Sequence, residues 1–306
     1  MTRSIPAWLI AGALLLSAVP AGSEDEWTGS SPSPETARAI EGVVGDPDPA
    51  AVQRLAGATA PPQLVAAIYR GDRAQRLAAI EACAHLPDPW PVLPYLAAVM
   101  SSQERQAASR ATESLLGDLA REASAPGRCT ELVPGQAAQL VEQLARIADD
   151  ERLDPDIRAS ALSAIGMVSA IDGAPHPPDA ELLEDPEDAV RGAAMAMLAP
   201  PLEESEIQPV AEMAAGDESR MLRGQASGLL CENALAHGVT APSPDLRKLL
   251  ATVVGDPASP PDAVAPVLGC LVRFAPAARA DLVEAALGHP SPEVRKYWEE
   301  LTQESP

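Results

Sequence analysis

The sequence predicts an all-α protein, a right-handed α-solenoid in which helical hairpins stack into a superhelix. Three observations lead there. Aromatic residues make up only 3% of the chain and Phe274 is its one phenylalanine, whereas sheet cores favour aromatic and β-branched side chains. Alanine and leucine recur at the three- and four-residue spacing of a helix with one buried face. A unit of about 30–40 residues then returns along the chain, the mark of a stacked array.

From the N-terminus, Arg3 precedes an apolar run from Ile5 to Val19 and the small residues Ala21, Gly22 and Ser23, the pattern of a secretory signal. The run is short for a membrane span. Val19 with Ala21, or Ala21 with Ser23, fit the small positions before a cut, and an uncleaved anchor is the alternative. Residues 1–23 are thus read as a signal, 24–33 as a polar tether, 34–303 as one solenoid and 304–306 as a frayed tail. No later stretch is apolar enough to span a bilayer, so the mature chain is expected to be exported, to the periplasm or the medium.

The repeating frame is clearest in Asp185-Pro186-Glu187-Asp188-Ala189-Val190-Arg191, with Ala194 and Leu198 three and seven places after the arginine. It returns at Arg158 with Ala161 and Ile165, at Arg223 with Ala226 and Leu230, and at Arg76 with Ala79 and Cys83. Arg105 carries a weaker copy, and the last begins at His289 and contains Val294-Arg295. Successive arginines lie 29, 53, 33, 32 and 72 residues apart. The two long gaps each hold a degenerate unit, Pro134 to Ala148 and Ser259 to Arg273, where Val264-Ala265 replaces the valine-arginine pair.

An Asp or Ser before Pro supplies an N-cap acceptor followed by a first-turn residue with no N–H to leave unpaired. Helices are therefore expected to start at Asp154-Pro155, Asp185-Pro186, Ser243-Pro244 and Ser291-Pro292. Positions three and seven after each arginine share a stripe that must be buried on a neighbouring helix. One hairpin cannot bury it alone, whereas a stack can. Pro87 to Pro91, Gly173 to Pro178 and Gly255 to Pro261 read as the longest loops.

This frame resembles HEAT-like repeats, in particular the short variety named after phycobilisome bilin lyases, with Asp-Pro-x-x-x-Val-Arg-x-x-Ala as its hallmark. The likeness covers most of Ala50 to Leu301 and is strongest from Asp154 to Leu230 and again from Pro290. It implies that the Asp and Arg form a ladder of polar contacts between successive repeats. Asp185 with Arg191 and Asp217 with Arg223 match the spacing; Arg158 has no Asp at that offset, and His289 stands where the Asp would precede Arg295. The ladder is therefore expected to be incomplete. The resemblance also implies a binding surface on the ridge of the second helices.

Four cysteines form no CxxC pair, which excludes a zinc ribbon or a thioredoxin-like motif. In an exported chain disulfides become available. Cys231 and Cys270 fall near one helix position in neighbouring units and are the first expected pair, leaving Cys83 for Cys129. Buried free thiols at Cys83 and Cys270 are the competing reading, because sequence does not give connectivity.

Catalytic signals are scarce. His85, His176, His237 and His289 are isolated, with no HExxH. Ser227, in Gly224-Gln-Ala-Ser-Gly228, is one place out of register for a nucleophile elbow and falls inside a helix. No phosphate-binding loop or dinucleotide motif occurs, so no cofactor and no enzymatic activity are expected. Trp90, Tyr95, Tyr297 and Trp298 are the notable aromatics, the last two read chiefly as a cap on the terminal repeat.

The formal net charge is −22. Such a chain repels nucleic-acid phosphates and anionic lipid. Two acid clusters lie at 149–156 and 181–188; Asp149, Asp150, Glu151, Glu184 and Asp188 read either as solvated turns and caps or as a landing patch for a basic partner. The expected function is a non-catalytic scaffold or adaptor holding a protein or peptide, a basic one best matching the charge. A self-assembling envelope component and a chromophore-lyase-like enzyme are the alternatives.

Overall fold

The computed structural model describes residues 31–45, 48–102, 104–123, 136–274 and 276–304. Among them there are α-helices and one 3-10 segment and no strand, so the chain is all-α. It divides into two compact units, one ending at Leu144 and the other starting at Ala145. The signal and most of the tether expected from sequence, with Cys129 and the last two residues, lie outside the described residues. None of the described helices is long and apolar enough to cross a membrane.

The first unit contains α1 (Pro34–Gly45), α2 (Pro49–Ala58), α3 (Pro61–Arg70), α4 (Arg73–Cys83), α5 (Leu93–Val99) and α6 (Arg105–Ala123). α4 is its hub, packed against α1, α2, α3 and α6, while α5 packs on α6. A capping box starts α4: Asp72 accepts from the Gln75 N–H, and the Gln75 side chain accepts from the Asp72 N–H. Two of the four orphan donors at the helix start are satisfied in this way. The inner face of α4 buries Ala79, Ile80 and Cys83 completely or nearly so.

Cys83 carries a buried free thiol; Cys129, its expected partner, lies outside the described residues. Burial pushes that thiol up to about 12. A thiolate reagent therefore has neither access nor a deprotonated sulfur. Iodoacetamide is expected to leave Cys83 unmodified in the native protein at pH 8 and to alkylate it once urea unfolds the chain; mass spectrometry showing rapid native labelling would contradict this.

The division between units falls within α7 (Gln136–Ala148). The second unit continues with α8 (Pro155–Asp172), the 3-10 segment Ala180–Glu184, α9 (Asp188–Ala196), α10 (Glu204–Gly216) and α11 (Arg220–Ala236). It ends with α12 (Pro244–Gly255), α13 (Pro261–Leu271), α14 (Pro276–Leu287) and α15 (Pro292–Glu304). Here α9 packs on α11, α11 on α13 and α13 on α15, and α12 packs on α14. Adjacent helices also pair: α10 with α11, α11 with α12, α12 with α13, α14 with α15.

Caps and stops follow local chemistry. Asp154 and Ser243 cap α8 and α12, each followed by Pro at the first helical position, and Ser291 Oγ accepts from Glu293 and Val294 at the start of α15. Gly173, at φ 70°, ends α8 in the left-handed region that favours glycine. Asp185-Pro186 departs from expectation, because the helix begins at Asp188. Asp185 is occupied elsewhere: its Oδ1 accepts from the Glu187 N–H two residues on, which makes a turn in place of a cap.

The repeated core positions are Val190 and Ala194 on α9, Leu222 and Ala226 on α11, Val264 and Leu268 on α13, and Val294 and Trp298 on α15, all buried. Trp298, only 4% exposed, closes the core formed with Leu250, Val267 and Leu282. Burying one such side chain contributes about 1.5–3 kcal/mol. Within the same core Cys231 and Cys270 form a disulfide between α11 and α13, their Cα atoms 6.1 Å apart.

Candidate functional site: a groove along α9, α11, α13 and α15

The polar ladder sets how these helices stand against each other. Four frame arginines turn the guanidinium back to a carbonyl five or six residues earlier: Arg76 Nη1 donates to Gly71 O at 2.9 Å and Arg191 Nη1 to Asp185 O at 2.7 Å. Arg223 and Arg295 do the same to Asp217 O and His289 O. The other nitrogens reach a carboxylate of the next unit. Arg76 Nη2 donates to Glu104 at 3.1 Å, Arg158 Nη1 to Asp185 at 3.3 Å, and Arg191 is bidentate on Asp217 at 2.8 and 3.0 Å. Arg220 Nε donates to Asp256 at 2.9 Å, with Arg223 3.9 Å away.

This corrects the expectation for Arg158. It lacks an aspartate six residues before it, yet it makes the most buried rung, forward to Asp185 and back from Nε to Ala148 O at 2.7 Å. His289 stands in for aspartate differently. Its Nδ1 accepts from the Ser291 N–H at 3.1 Å, as Asp185, Asp217 and Asp256 accept from the residue two places on. With Nδ1 accepting, the ring proton sits on Nε2, which donates to Asp256 O at 3.2 Å. A neutral donor fits because the preceding unit has no frame arginine to neutralise: Ala265 stands in its place.

Where that arginine is missing, the surface opens. A groove of about 760 Å³ runs along α9, α11, α13 and α15, floored by small residues: Gly192 and Ala196, Gly228, and Ala265 with Gly269. Met195, Leu229 and Pro266 add apolar walls, Gln225, Glu232 and Asp262 polar ones, and Tyr297, 37% exposed, stands at its end. A second pocket of about 350 Å³ adjoins it between α13 and α15, sharing Asp262, Ala265 and Tyr297 and adding Leu268, Val294, Glu293, Lys296 and Glu300.

Close helix approach makes the groove floor. Cβ atoms built at Gly224 and Gly228 would stand 2.1 Å from Ala263 O and 2.6 Å from Pro266 Cβ, so only glycine lets α11 lie this near α13. The segment Gly224 to Gly228 is thus a helix crossing. Ser227 between them is 0% exposed with no hydrogen-bond partner. Arg273 and Glu232 form an ion pair across the far end of the same two helices.

The expected acid patch lies elsewhere. Asp149, Glu151, Glu184 and Asp188 are exposed and Asp150 half-buried, and none lines the groove. The two acid clusters do meet: burial raises the Asp149 carboxyl, Asp179 and Glu181 push the same way, and Arg158 opposes them. Asp150 is held below the usual carboxylate range, chiefly by its hydrogen bond from Arg152. Asp185 is consumed by Arg158, while Asp154 and Asp179 cap helical starts. Among the described residues no group of His, Cys, Asp and Glu is arranged to hold a metal ion. His176 pairs with Asp172 at 3.0 Å, and His237 Nδ1 bonds Asn233 O at 2.8 Å.

Set against known proteins, the chain matches no family model, no curated protein and no solved structure. The sequence pointed to the second-helix ridge and singled out Tyr297, but not the floor. A signal was present: Gly192, Gly224, Gly228 and Gly269 all sit inside helices, where each costs about 1 kcal/mol relative to alanine unless space demands it.

Proposed function

We propose that the chain is an exported HEAT-like solenoid that acts as a non-catalytic scaffold, holding a basic protein or peptide in the groove of the second unit. The observation that carries this is the groove itself, drawn from one face of four helices that pack in succession. Rungs between residues 26 to 28 apart support the repeat reading, since a ladder at that interval ties each hairpin to its neighbour. The occupant follows from charge: Glu232 is satisfied by Arg273, while Asp262 forms no ion pair among the described residues of an acidic chain. A cationic partner is steered in and matched.

A photo-crosslinking residue placed at Ala196, within the groove, and another at Glu184, in the acid patch, separate the possible surfaces in the producing cells. The expected result is one partner adduct from position 196 and none from 184. An adduct from 184 alone moves binding to the acid patch; adducts of the protein with itself alone establish the self-assembling reading; and no adduct from either position overturns the scaffold.

A further inference from the structure

We infer that the smaller pocket between α13 and α15 is a specificity subsite for a single arginine or lysine side chain of the partner, clamped between the Asp262 carboxylate and the Tyr297 ring. This deepens the scaffold reading and rests on it. Four features converge on the pocket. Its charge is acidic: Asp262, Glu293 and Glu300 face it against Lys296 alone. Lys296 is turned to Glu300, 3.4 Å away, and Glu293 is held below the usual carboxylate range by the Ser291 hydroxyl. Asp262, on the first turn of α13, is left as the acceptor without an ionic partner among the described residues.

The reason lies in the repeat. In the units of Arg191 and Arg223 a guanidinium occupies this part of the second helix and binds forward to the next unit. In the unit of α13 Ala265 stands there instead, and it lines both pockets. Ala265 leaves this part of the helix without the guanidinium that its counterparts carry, and the space beside the Asp262 carboxylate is open to a cation from outside. Pro266 brings no N–H to the carbonyl of Asp262 four residues before, which leaves that carbonyl without its helical donor.

Tyr297 completes the clamp. Its hydroxyl lies over Gly269, 4.0 Å from where a Cβ would be, and its ring borders both pockets. A guanidinium stacks on an aromatic face while its N–H groups bind a carboxylate in bidentate fashion. The volume, about 350 Å³, suits one long side chain with its aliphatic stem on Leu268 and Val294. Peptide backbone on either side would run along the larger groove.

The test uses dodecapeptides selected from a random display library on the full-length protein. Binding is measured by calorimetry to wild type, Asp262→Asn, Tyr297→Ala and Ala196→Trp, the last obstructing the main groove far from the pocket. Selected peptides are expected to share one Arg or Lys. Replacing that Arg with citrulline, its neutral isostere, should weaken binding about tenfold, as one charge-assisted contact does. Asp262→Asn should lose the same factor, with no further loss when combined with citrulline. If Ala196→Trp abolishes binding while Asp262→Asn and citrulline leave it unchanged, the groove stands and the subsite falls. If Ala196→Trp has no effect, or no peptide is selected, the groove reading falls and takes the subsite with it.

Discussion

Gly224→Ala is expected to lower the stability of the second unit by about 3 kcal/mol, at the severe end of overpacking substitutions. The added Cβ would meet Ala263 O at 2.1 Å, its carbonyl carbon at 2.6 Å and its Cα at 2.8 Å. All three are backbone atoms, so no side chain can rotate out of the way. α13 must move off α11 by about 1 Å to restore ordinary contact, and that motion is opposed by the Cys231–Cys270 disulfide between the same helices. Alanine gains up to about 1 kcal/mol in helix propensity over glycine, too little to offset the clash. Gly166→Ala on α8 is the control, because its Cβ would find only Met197 Cγ at 3.6 Å. That variant is expected to be neutral or more stable by up to ~1 kcal/mol. Urea unfolding followed by circular dichroism compares the two; equal midpoints would show that the close crossing is not rigid.

Asp185→Ala is expected to cost 3–5 kcal/mol, since it strands a buried guanidinium. Arg158 is 4% exposed and Asp185 7%, so water cannot replace the lost carboxylate. Asp185 also accepts from the Glu187 N–H, and its loss removes that turn contact as well. The double variant Arg158→Met with Asp185→Leu should recover much of the stability, because two matched apolar side chains carry no desolvation penalty. Exposed pairs such as Arg121 with Asp118 should by contrast be worth under ~1 kcal/mol and weaken with salt. Chemical denaturation at low and at 0.5 M salt distinguishes the two classes. A loss below 1 kcal/mol for Asp185→Ala would mean that the rung opens to solvent.

Both predictions turn on contacts that only partly showed in the sequence. The arginine frame was visible at Arg76, Arg158, Arg191, Arg223 and Arg295, as was the acid at Asp185 and Asp217. The partner of each arginine was not. An aspartate six residues before an arginine looks like its mate, yet the guanidinium takes that residue's backbone carbonyl and sends its charge to the acid of the next unit. Arg158, lacking an aspartate at that offset, consequently seemed to break the ladder and in fact makes its most buried rung. His289 likewise reads as a defect until the missing arginine at Ala265 is set beside it. The two departures from the frame, Ala265 and His289, compensate each other.

What the sequence by itself determined is local: the helical class, the caps at Asp154, Ser243 and Ser291, and the buried position three residues after Arg76, Arg158, Arg191 and Arg223. These depend on residues one to four places apart along one helix, and such neighbours keep their relation whatever the rest of the chain does. Tertiary structure alone decided the forward direction of the rungs, the crossing at Gly224 and Gly228, and the groove bordered by Asp262 and Tyr297. Those features join residues 26 or more positions apart, brought together only when one helix packs on another. Their geometry is a property of the helix interface, where close packing sets distances to within a methyl group.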